Sequence, residues 1–184
     1  MFKDFNIDKF KKMKPPSDSS FDTMREVKDI NKIPLDKDKI KKFDNIEKTF
    51  KSIADNNGIM DYPSKLIKDL INKSAPIILK LKNYFDRPRP KVVAKKMGIK
   101  MKDFEMNSMK TPSYPSGHSA QGILIGMVLS KIYPEHASKF TKAGENISDS
   151  RNIAKAHYKS DSKMGKQLGA EMYNHIKSKI NNLK

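Results

Sequence analysis

The amino-acid sequence predicts an all-α fold, organised as a single compact helical bundle. The chain has 184 residues, a length that suits one domain with one hydrophobic core. Apolar residues recur at helical spacing in several segments, as in the run Ile40, Phe43, Ile46, Phe50 and Ile53. No stretch shows the apolar and polar alternation, rich in β-branched side chains, that is typical of strands. These three observations favour helices packed against helices.

Residues 1–20 mix aromatic side chains, lysines and two consecutive prolines. This composition predicts an N-terminal arm, either flexible or attached to the body of the protein through Phe2, Phe5 and Phe10. Residues 21–184 are predicted to form the helical domain itself.

Apolar periodicity, caps and helix breakers define the elements of that domain. Long predicted helices cover residues 21–31, 36–56, 117–133, 135–155 and 160–179. Between Pro63 and Pro88 the pattern predicts two consecutive helices, because Ser74 and Pro76 are the residue types of a helix cap and a first turn. Residues 91–114 are rich in lysine and are expected to form a long loop with room for one short helix.

The composition excludes several classes of protein. Cysteine is absent, so the chain has neither disulfides nor thiolate metal sites. No apolar run approaches the roughly 18 residues that a membrane-spanning helix needs. The first residues are basic but lack the continuous apolar segment of a secretory signal. We therefore expect a soluble protein, in the cytoplasm, with the periplasm as the alternative.

The formal net charge is +17, from 38 basic and 21 acidic side chains. Such a charge indicates either a solvated surface or an attraction for anionic partners. Basic and aromatic residues are not interleaved and no recognition helix stands out, so nucleic acid is not the expected partner. Arginine, whose planar fork can hold two phosphate oxygens at once, occurs at only four positions. These are Arg25, Arg87, Arg89 and Arg151.

Ser116, Gly117 and His118 stand at the predicted start of an apolar helix. Unpaired backbone N–H groups and the positive end of the helix dipole make such a start an attractive site for an anion. Glycine lets a ligand approach the backbone closely, and serine adds a hydroxyl donor. A histidine at this place can protonate a leaving oxygen.

His157 lies in the turn before the last predicted helix, for which Ser160 is the expected cap and Asp161 the first residue. Asp161 is close enough in sequence to accept a hydrogen bond from one ring nitrogen of His157. That bond would fix the tautomer and leave the other nitrogen free to act as a nucleophile.

Lys82, Arg89 and Arg151 are the cations expected around the same anion. Phosphoryl transfer mainly needs positioning of the phosphoryl group and neutralisation of the charge on its oxygens. Two guanidinium groups, one ammonium group and a helix N-terminus meet that need, so neither a metal nor another cofactor is expected.

In order and spacing, these segments resemble the signature of the type 2 phosphatidic acid phosphatase superfamily, which reads K-x6-R-P, P-S-G-H and S-R-x5-H-x3-D. Residues 114–169 are also similar to the bacterial class A non-specific acid phosphatases. The resemblance implies the helical bundle of acid phosphatases and vanadium haloperoxidases. It further implies a metal-independent phosphatase that acts on phosphorylated small molecules. The sequence leaves open whether the protein forms a homo-oligomer.

The resemblance also implies a role for each residue of the signature. His157 is the nucleophile, Asp161 orients it, and His118 protonates the leaving alcohol and then activates water. The phosphate is bound by Lys82, Arg89, Ser116, Gly117 and Arg151. Lys80 and Arg87 fit the first motif in an alternate register, although Lys82 with Arg89 is the preferred one.

Two other functions are compatible with the sequence. Vanadium-dependent haloperoxidases resemble this superfamily and would use His157 as a vanadate ligand, but their chains are usually much longer. A non-enzymatic protein that binds polyanions is supported by the net charge alone.

Overall fold

The computed structural model describes residues 1–180 of the protein, and all regular secondary structure in that part of the chain is helical. The prediction of an all-α fold is therefore confirmed for these residues. The α-helices are α1 (Asp8–Lys11), α2 (Phe21–Asn31), α3 (Lys37–Asp44), α4 (Ile46–Asn56), α5 (Ser64–Phe85), α6 (Pro90–Lys96), α7 (Gly117–Ile132), α8 (Ala137–Ile153) and α9 (Lys159–Ile176). Short 3₁₀ helices cover Asn107–Lys110 and Pro134–His136. Over residues 1–180, none of the helices has the length and apolar character needed to cross a membrane.

Helix α7 is the central helix and packs between α8 and α9. Glycines permit both close contacts. A Cβ atom on Gly144 of α8 would lie 2.7 Å from the carbonyl oxygen of Gly122 in α7, and one on Gly165 of α9 would collide with the carbonyl oxygen of Ser116. The start of α7 is thereby held against the start of α9, which places two of the predicted site segments side by side.

Helix α5 runs without interruption through Pro76, so the predicted new helix at Ser74 is wrong. The Ser74 hydroxyl donates to the carbonyl oxygen of Ile71 at 3.1 Å instead of capping a helix. The buried face that includes Leu70 and Ile78 continues past the proline. Burial of that face offsets the backbone hydrogen bond that proline cannot make.

The predicted helix over residues 36–56 divides into α3 and α4 at Asn45. The Asn45 side chain accepts a hydrogen bond from the N–H of Lys48 at 2.9 Å and so caps α4. Because the chain turns at this point, the last residue of α3, Asp44, contacts His118 at the start of α7.

Residues 1–20 pack on the body of the protein. The three phenylalanines expected to attach this segment all contact the main hydrophobic core, and Phe10 is buried in it. The Tyr114 hydroxyl donates to the carbonyl oxygen of Met13 at 2.6 Å. The aromatic attachment is therefore present, while the flexibility of the arm and the division of the chain at residue 20 stay predictions.

Helix α6 takes up the start of the predicted loop over residues 91–114, and residues 97–114 follow it as an irregular segment that contains the first 3₁₀ helix. The N–H of Phe104 donates to the carbonyl oxygen of Ala154 at 3.1 Å, just after α8. The N–H of Ser113 donates to the carbonyl oxygen of Arg87 at 2.8 Å, just after α5. The segment is thus attached to the ends of two helices that carry predicted site residues.

Candidate active site

The fold brings four of the predicted site residues, from three separate segments, to one cavity of about 470 Å³. Helix α5 contributes Lys82, the start of α7 contributes Gly117 and His118, and the turn between α8 and α9 contributes His157. Thr111, from the irregular segment after α6, also lines the cavity. The two predicted catalytic histidines therefore share one cavity.

The start of α9 positions the pair formed by His157 and Asp161. Helix α9 begins at Lys159, so Asp161 is its third residue, and its Oδ2 accepts the N–H of Tyr158 at 3.1 Å. The predicted cap at Ser160 is wrong, because the N-cap is Tyr158, whose buried N–H is taken by a carboxylate in the first turn. The same Oδ2 lies 3.1 Å from Nδ1 of His157.

The tautomer of His157 follows from its partners. Since a carboxylate only accepts, Nδ1 carries the hydrogen toward Asp161 and Nε2 keeps its lone pair. Nη1 of Arg89 donates to that Nε2 at 3.0 Å. Burial, followed by the positive charge of Arg89, lowers the pKa of His157 to about 3, against the opposing hydrogen bond to Asp161. His157 is thus neutral, with its lone pair on the nitrogen that faces a cation.

Asp161 is fully buried and accepts hydrogen bonds through both oxygens. Nη1 of Arg87 donates to Oδ1 at 2.7 Å, and the Ser113 hydroxyl donates to Oδ2. Burial alone would raise the pKa of Asp161, but the hydrogen bond from His157, the charge of Arg87 and the bond from Ser113 give a net lowering. The carboxylate therefore stays ionised beside the His157 ring.

His118 lies in the first turn of α7 with a side chain that is 19% exposed. Its Nε2–H donates to the backbone carbonyl oxygen of Asp44 at 2.9 Å, so Nδ1 is the nitrogen left for chemistry. Burial and, next in size, the charge of Arg151 lower the pKa of His118 to about 4. A negative charge bound nearby would raise that pKa again.

Two of the predicted phosphate-binding cations donate to backbone carbonyl groups of one short segment. The ammonium group of Lys82 donates to Pro112 at 2.6 Å. The guanidinium group of Arg89 donates to Thr111 at 2.9 Å and to Ser108 at 3.0 Å. Burial, and then the charge of Arg89, lowers the pKa of Lys82 to about 7. The cations are thus held in place by neutral acceptors.

Arg151 reaches the site through Asp44. Its side chain is buried on α8, and Nη1 donates to the Asp44 carboxylate at 2.9 Å. Because the backbone of Asp44 also accepts from His118, the arginine and the histidine are bridged by one residue. Burial lowers the pKa of Arg151, and the bond to Asp44 opposes this.

Ser116 caps the helix whose start faces the cavity. Its Oγ accepts from the N–H of Ser119 at 3.3 Å and from the Ser119 hydroxyl at 2.9 Å. Its own N–H donates to the carbonyl oxygen of Asp161 at 3.0 Å. A serine hydroxyl has one donor and two acceptor sites, so these bonds leave its proton available.

The structure separates the two registers of the first motif. Lys82 and Arg89 donate to backbone carbonyl groups of the irregular segment after α6, whereas Lys80 is exposed on α5. Arg87 is buried and pairs with carboxylates, those of Asp161 and Glu26. Of the four arginines, Arg87, Arg89 and Arg151 are buried and Arg25 is exposed.

Sequence reasoning missed several residues of the site. Asp44 carries no motif and lies where a continuous helix was predicted, so nothing in the sequence pointed to it. Ser113 and Glu26 contact the site only through the tertiary fold. The sequence did draw attention to Arg87, as one of only four arginines and as the alternate phosphate ligand of the first motif. In the structure its partner is the carboxylate of Asp161. Within residues 1–180, His, Asp and Glu side chains form no group of three or more that could hold a metal ion.

Three bacterial acid phosphatases are similar to this chain over part of its length. The chain is 39% identical over 89 residues to the non-specific acid phosphatase of Salmonella typhimurium, a match that covers 48% of this chain and 35% of that protein. It is 32% identical over 102 residues to the acid phosphatase of Zymomonas mobilis, covering 55% and 38%. A third match, 46% identical over 52 residues, is to the non-specific acid phosphatase of Providencia stuartii, covering 28% and 21%.

The chain thus spans little more than a third of the length of the first relatives it matches. The model of the PAP2 superfamily matches residues 67–180, which include every predicted site residue and more than half of the chain. On the strength of that match, together with the order of the motifs, the protein belongs to the PAP2 superfamily.

Proposed function

We propose that this protein is a phosphatase that hydrolyses phosphomonoesters through a phosphohistidine, with His157 as nucleophile and His118 as general acid. One observation carries the proposal: Nδ1 of His157 is tied to Asp161 at 3.1 Å, while its Nε2 faces a cation in a cavity shared with His118. The acid phosphatases among its relatives support the same reaction class.

The first step forms a bond between Nε2 of His157 and phosphorus and breaks the bond from phosphorus to the leaving oxygen. Protonated His118 gives that oxygen its proton through Nδ1, so an alcohol leaves. The His157 ring gains positive charge as its lone pair is used, and the ionised Asp161 stabilises this charge.

The second step returns the enzyme to its starting state. Neutral His118 accepts a proton from water as the water oxygen attacks phosphorus. The bond between nitrogen and phosphorus breaks, its electron pair returns to Nε2 of His157, and inorganic phosphate leaves. Both steps together consume one water molecule and release one alcohol and one phosphate.

The phosphate oxygens would be bound by the cations and donors around the cavity. These are Lys82 and Gly117, which line the cavity, and the buried side chains of Arg89, Ser116 and Arg151. Hydrogen bonds to charged oxygens are roughly twice as strong as those to neutral acceptors. A bound phosphate can therefore replace the backbone carbonyl groups to which Lys82 and Arg89 now donate.

The haloperoxidase alternative uses the same residues for a different anion. Vanadate would be held where phosphate is proposed, with His157 as its ligand. Oxidation of a halide by peroxide in the presence of vanadate would identify that activity. A phosphatase is instead inhibited by vanadate, because vanadate mimics the five-coordinate transition state.

A screen of phosphomonoesters and phosphodiesters tests the proposal. We expect the wild-type protein to hydrolyse monoesters, with activity that EDTA leaves unchanged and vanadate inhibits. A His157→Ala variant should lose that activity while keeping its affinity for polyanions. Loss of activity in EDTA would contradict metal independence, and an active His157→Ala variant would remove the nucleophile from the proposal. Polyanion binding without any hydrolysis would favour the non-enzymatic alternative.

A further inference from the structure

Glu26 on α2 binds the far side of the site, away from the cavity. Its Oε2 lies 3.1 Å from Nη2 of Arg87, in an ion pair whose side chains are 15% and 1% exposed. Its Oε1 accepts the N–H of Ser160 at 2.7 Å, and its Oε2 accepts the Ser160 hydroxyl at the same distance. Glu26 lies outside residues 67–180, the part of the chain that matches the family.

Arg87 connects Glu26 to the carboxylate of the site. Nη1 of Arg87 donates to Oδ1 of Asp161 at 2.7 Å, and the other oxygen of Asp161 accepts from Nδ1 of His157. The guanidinium group also stacks 3.8 Å from the centre of the Tyr158 ring. Charges therefore alternate from one contact to the next. Glu26 is negative, Arg87 is positive and Asp161 is negative, and Asp161 contacts the imidazole that gains positive charge during the proposed reaction.

We infer that Glu26 is a positioning residue that keeps Asp161 strongly negative toward His157 during phosphoryl transfer, an inference that rests on the proposed function. Without Glu26, Asp161 would be the one carboxylate among residues 1–180 left in contact with Arg87, and the guanidinium group would neutralise more of its charge. Asp161 would then attract the positively charged His157 ring less. Glu26 also fixes Ser160, the residue directly before Asp161, so it sets the orientation of the carboxylate as well as its charge.

The alternative is that Glu26 only neutralises a buried arginine. Removal of one partner from a buried ion pair is destabilising in either case. A purely structural role would therefore lower the melting temperature, but it would not change the hydrogen bond between His157 and Asp161 in the protein that stays folded. Two measurements that report this hydrogen bond separate the two roles.

The test compares Glu26→Gln with two other variants. Glu26→Asp keeps the negative charge, and Glu47→Gln removes a charge from an exposed ion pair of α4, in which Glu47 lies 3.6 Å from Lys68. We expect Glu26→Gln to lower kcat about tenfold, the value of one pKa unit of interaction, with KM nearly unchanged. The steady-state fraction of phosphorylated enzyme should fall as well, because the charged intermediate is less stabilised. Glu26→Asp should recover part of both losses, and Glu47→Gln should match the wild type.

The second measurement does not need turnover. In the NMR spectrum, the Nδ1–H proton of His157 should move upfield in Glu26→Gln, because a less negative Asp161 accepts more weakly, and should not move in Glu47→Gln. An unchanged resonance and an unchanged phosphoenzyme fraction, with only a lower melting temperature, would overturn the inference. A shifted resonance in a protein whose wild type hydrolyses no phosphomonoester would support the positioning role of Glu26 and overturn the proposed function instead.

Discussion

The two walls of the cavity are built in different ways. On one wall, His157 is tied to Asp161, and Asp161 to Arg87, by side chains that are buried at the start of α9 and the end of α5. On the other wall, Lys82 and Arg89 donate to backbone carbonyl groups of the irregular segment after α6. The first wall fixes the direction of the nucleophile, whereas the second holds its cations through bonds that phosphate oxygens can replace.

This difference predicts that changes in the first wall cost the most activity. Asp161→Asn should lower kcat by about a thousandfold or more, because an amide that donates to Nδ1 would leave the hydrogen on Nε2 of His157 and remove its lone pair. Asp149→Asn, an exposed change on α8, is the matched control and should be neutral. Steady-state kinetics on both variants check this, and an Asp161→Asn variant within tenfold of wild type would contradict it.

The role of His118 predicts a smaller effect that depends on the leaving group. His118→Asn should lower kcat about a hundredfold for an alkyl phosphate, whose leaving oxygen needs a proton. With p-nitrophenyl phosphate the phosphorylation step should suffer much less, since nitrophenolate leaves without protonation. Rapid-quench kinetics of the first turnover measure this step, and equal losses for both substrates would assign His118 another task.

The contact that joins the start of α7 to the start of α9 predicts a loss of stability. Gly165→Ala places a methyl group against the carbonyl oxygen of Ser116, so the helices must separate. We expect the free energy of unfolding to fall by about 1–3 kcal/mol, with a lower kcat because Ser116 also contacts Asp161. Urea denaturation together with kinetics measures both effects. An unchanged stability would show that this contact does not hold α7 and α9 together.

The pKa values of the two histidines predict that activity and stability change in opposite directions with pH. The reaction needs neutral His157 and protonated His118, whose pKa values are lowered to about 3 and about 4. We therefore expect kcat/KM to be highest in acid and to fall as pH rises. Bound phosphate raises the pKa of His118, so the fall in kcat should occur at a higher pH than the fall in kcat/KM.

The stability of the folded protein depends on pH in the opposite direction. Both histidines bind protons less readily in the folded protein than in the unfolded chain, so acidification below the unfolded value of about 6.5 favours unfolding. The melting temperature should fall between that pH and about 4, and His118→Gln should weaken this dependence. A melting temperature that rises over the same interval would contradict the burial of neutral imidazoles.

The smallest expected effect is on the rate at which anionic substrates reach the cavity. The lysine-rich residues 91–110 would form a rim that attracts them. Lys91 is already paired with Asp103 and Glu105, each at 2.9 Å, which reduces the positive charge available. We expect kcat/KM for a charged substrate to fall a few-fold between low and high ionic strength, since salt screens attraction at a distance. No change with salt would exclude this steering.

The sequence was most informative where local chemistry decides the structure. His157 and Asp161 are four residues apart, and the hydrogen bond between them was predicted from that spacing. The break at Asn45 and the uninterrupted course through Pro76 depend on what the helices bury, which short-range signals do not reveal.

The site residues that lie outside the motifs could not be predicted from the sequence for the same reason. Asp44 and Glu26 are far from the motifs in sequence and reach them only because α2 and α3 pack against the helices that carry those motifs. Nothing distinguishes either residue from the other surface carboxylates of the chain until the fold is known.

The most direct test of His157 as the nucleophile is to locate the phosphoryl group on the enzyme during turnover. The protein is mixed with a ³²P-labelled phosphomonoester, quenched in base, in which phosphohistidine is stable, and digested for peptide mapping. We expect acid-labile label on the peptide that contains His157 and no label in His157→Ala. Acid-stable label on another residue, or turnover by His157→Ala, would contradict that role.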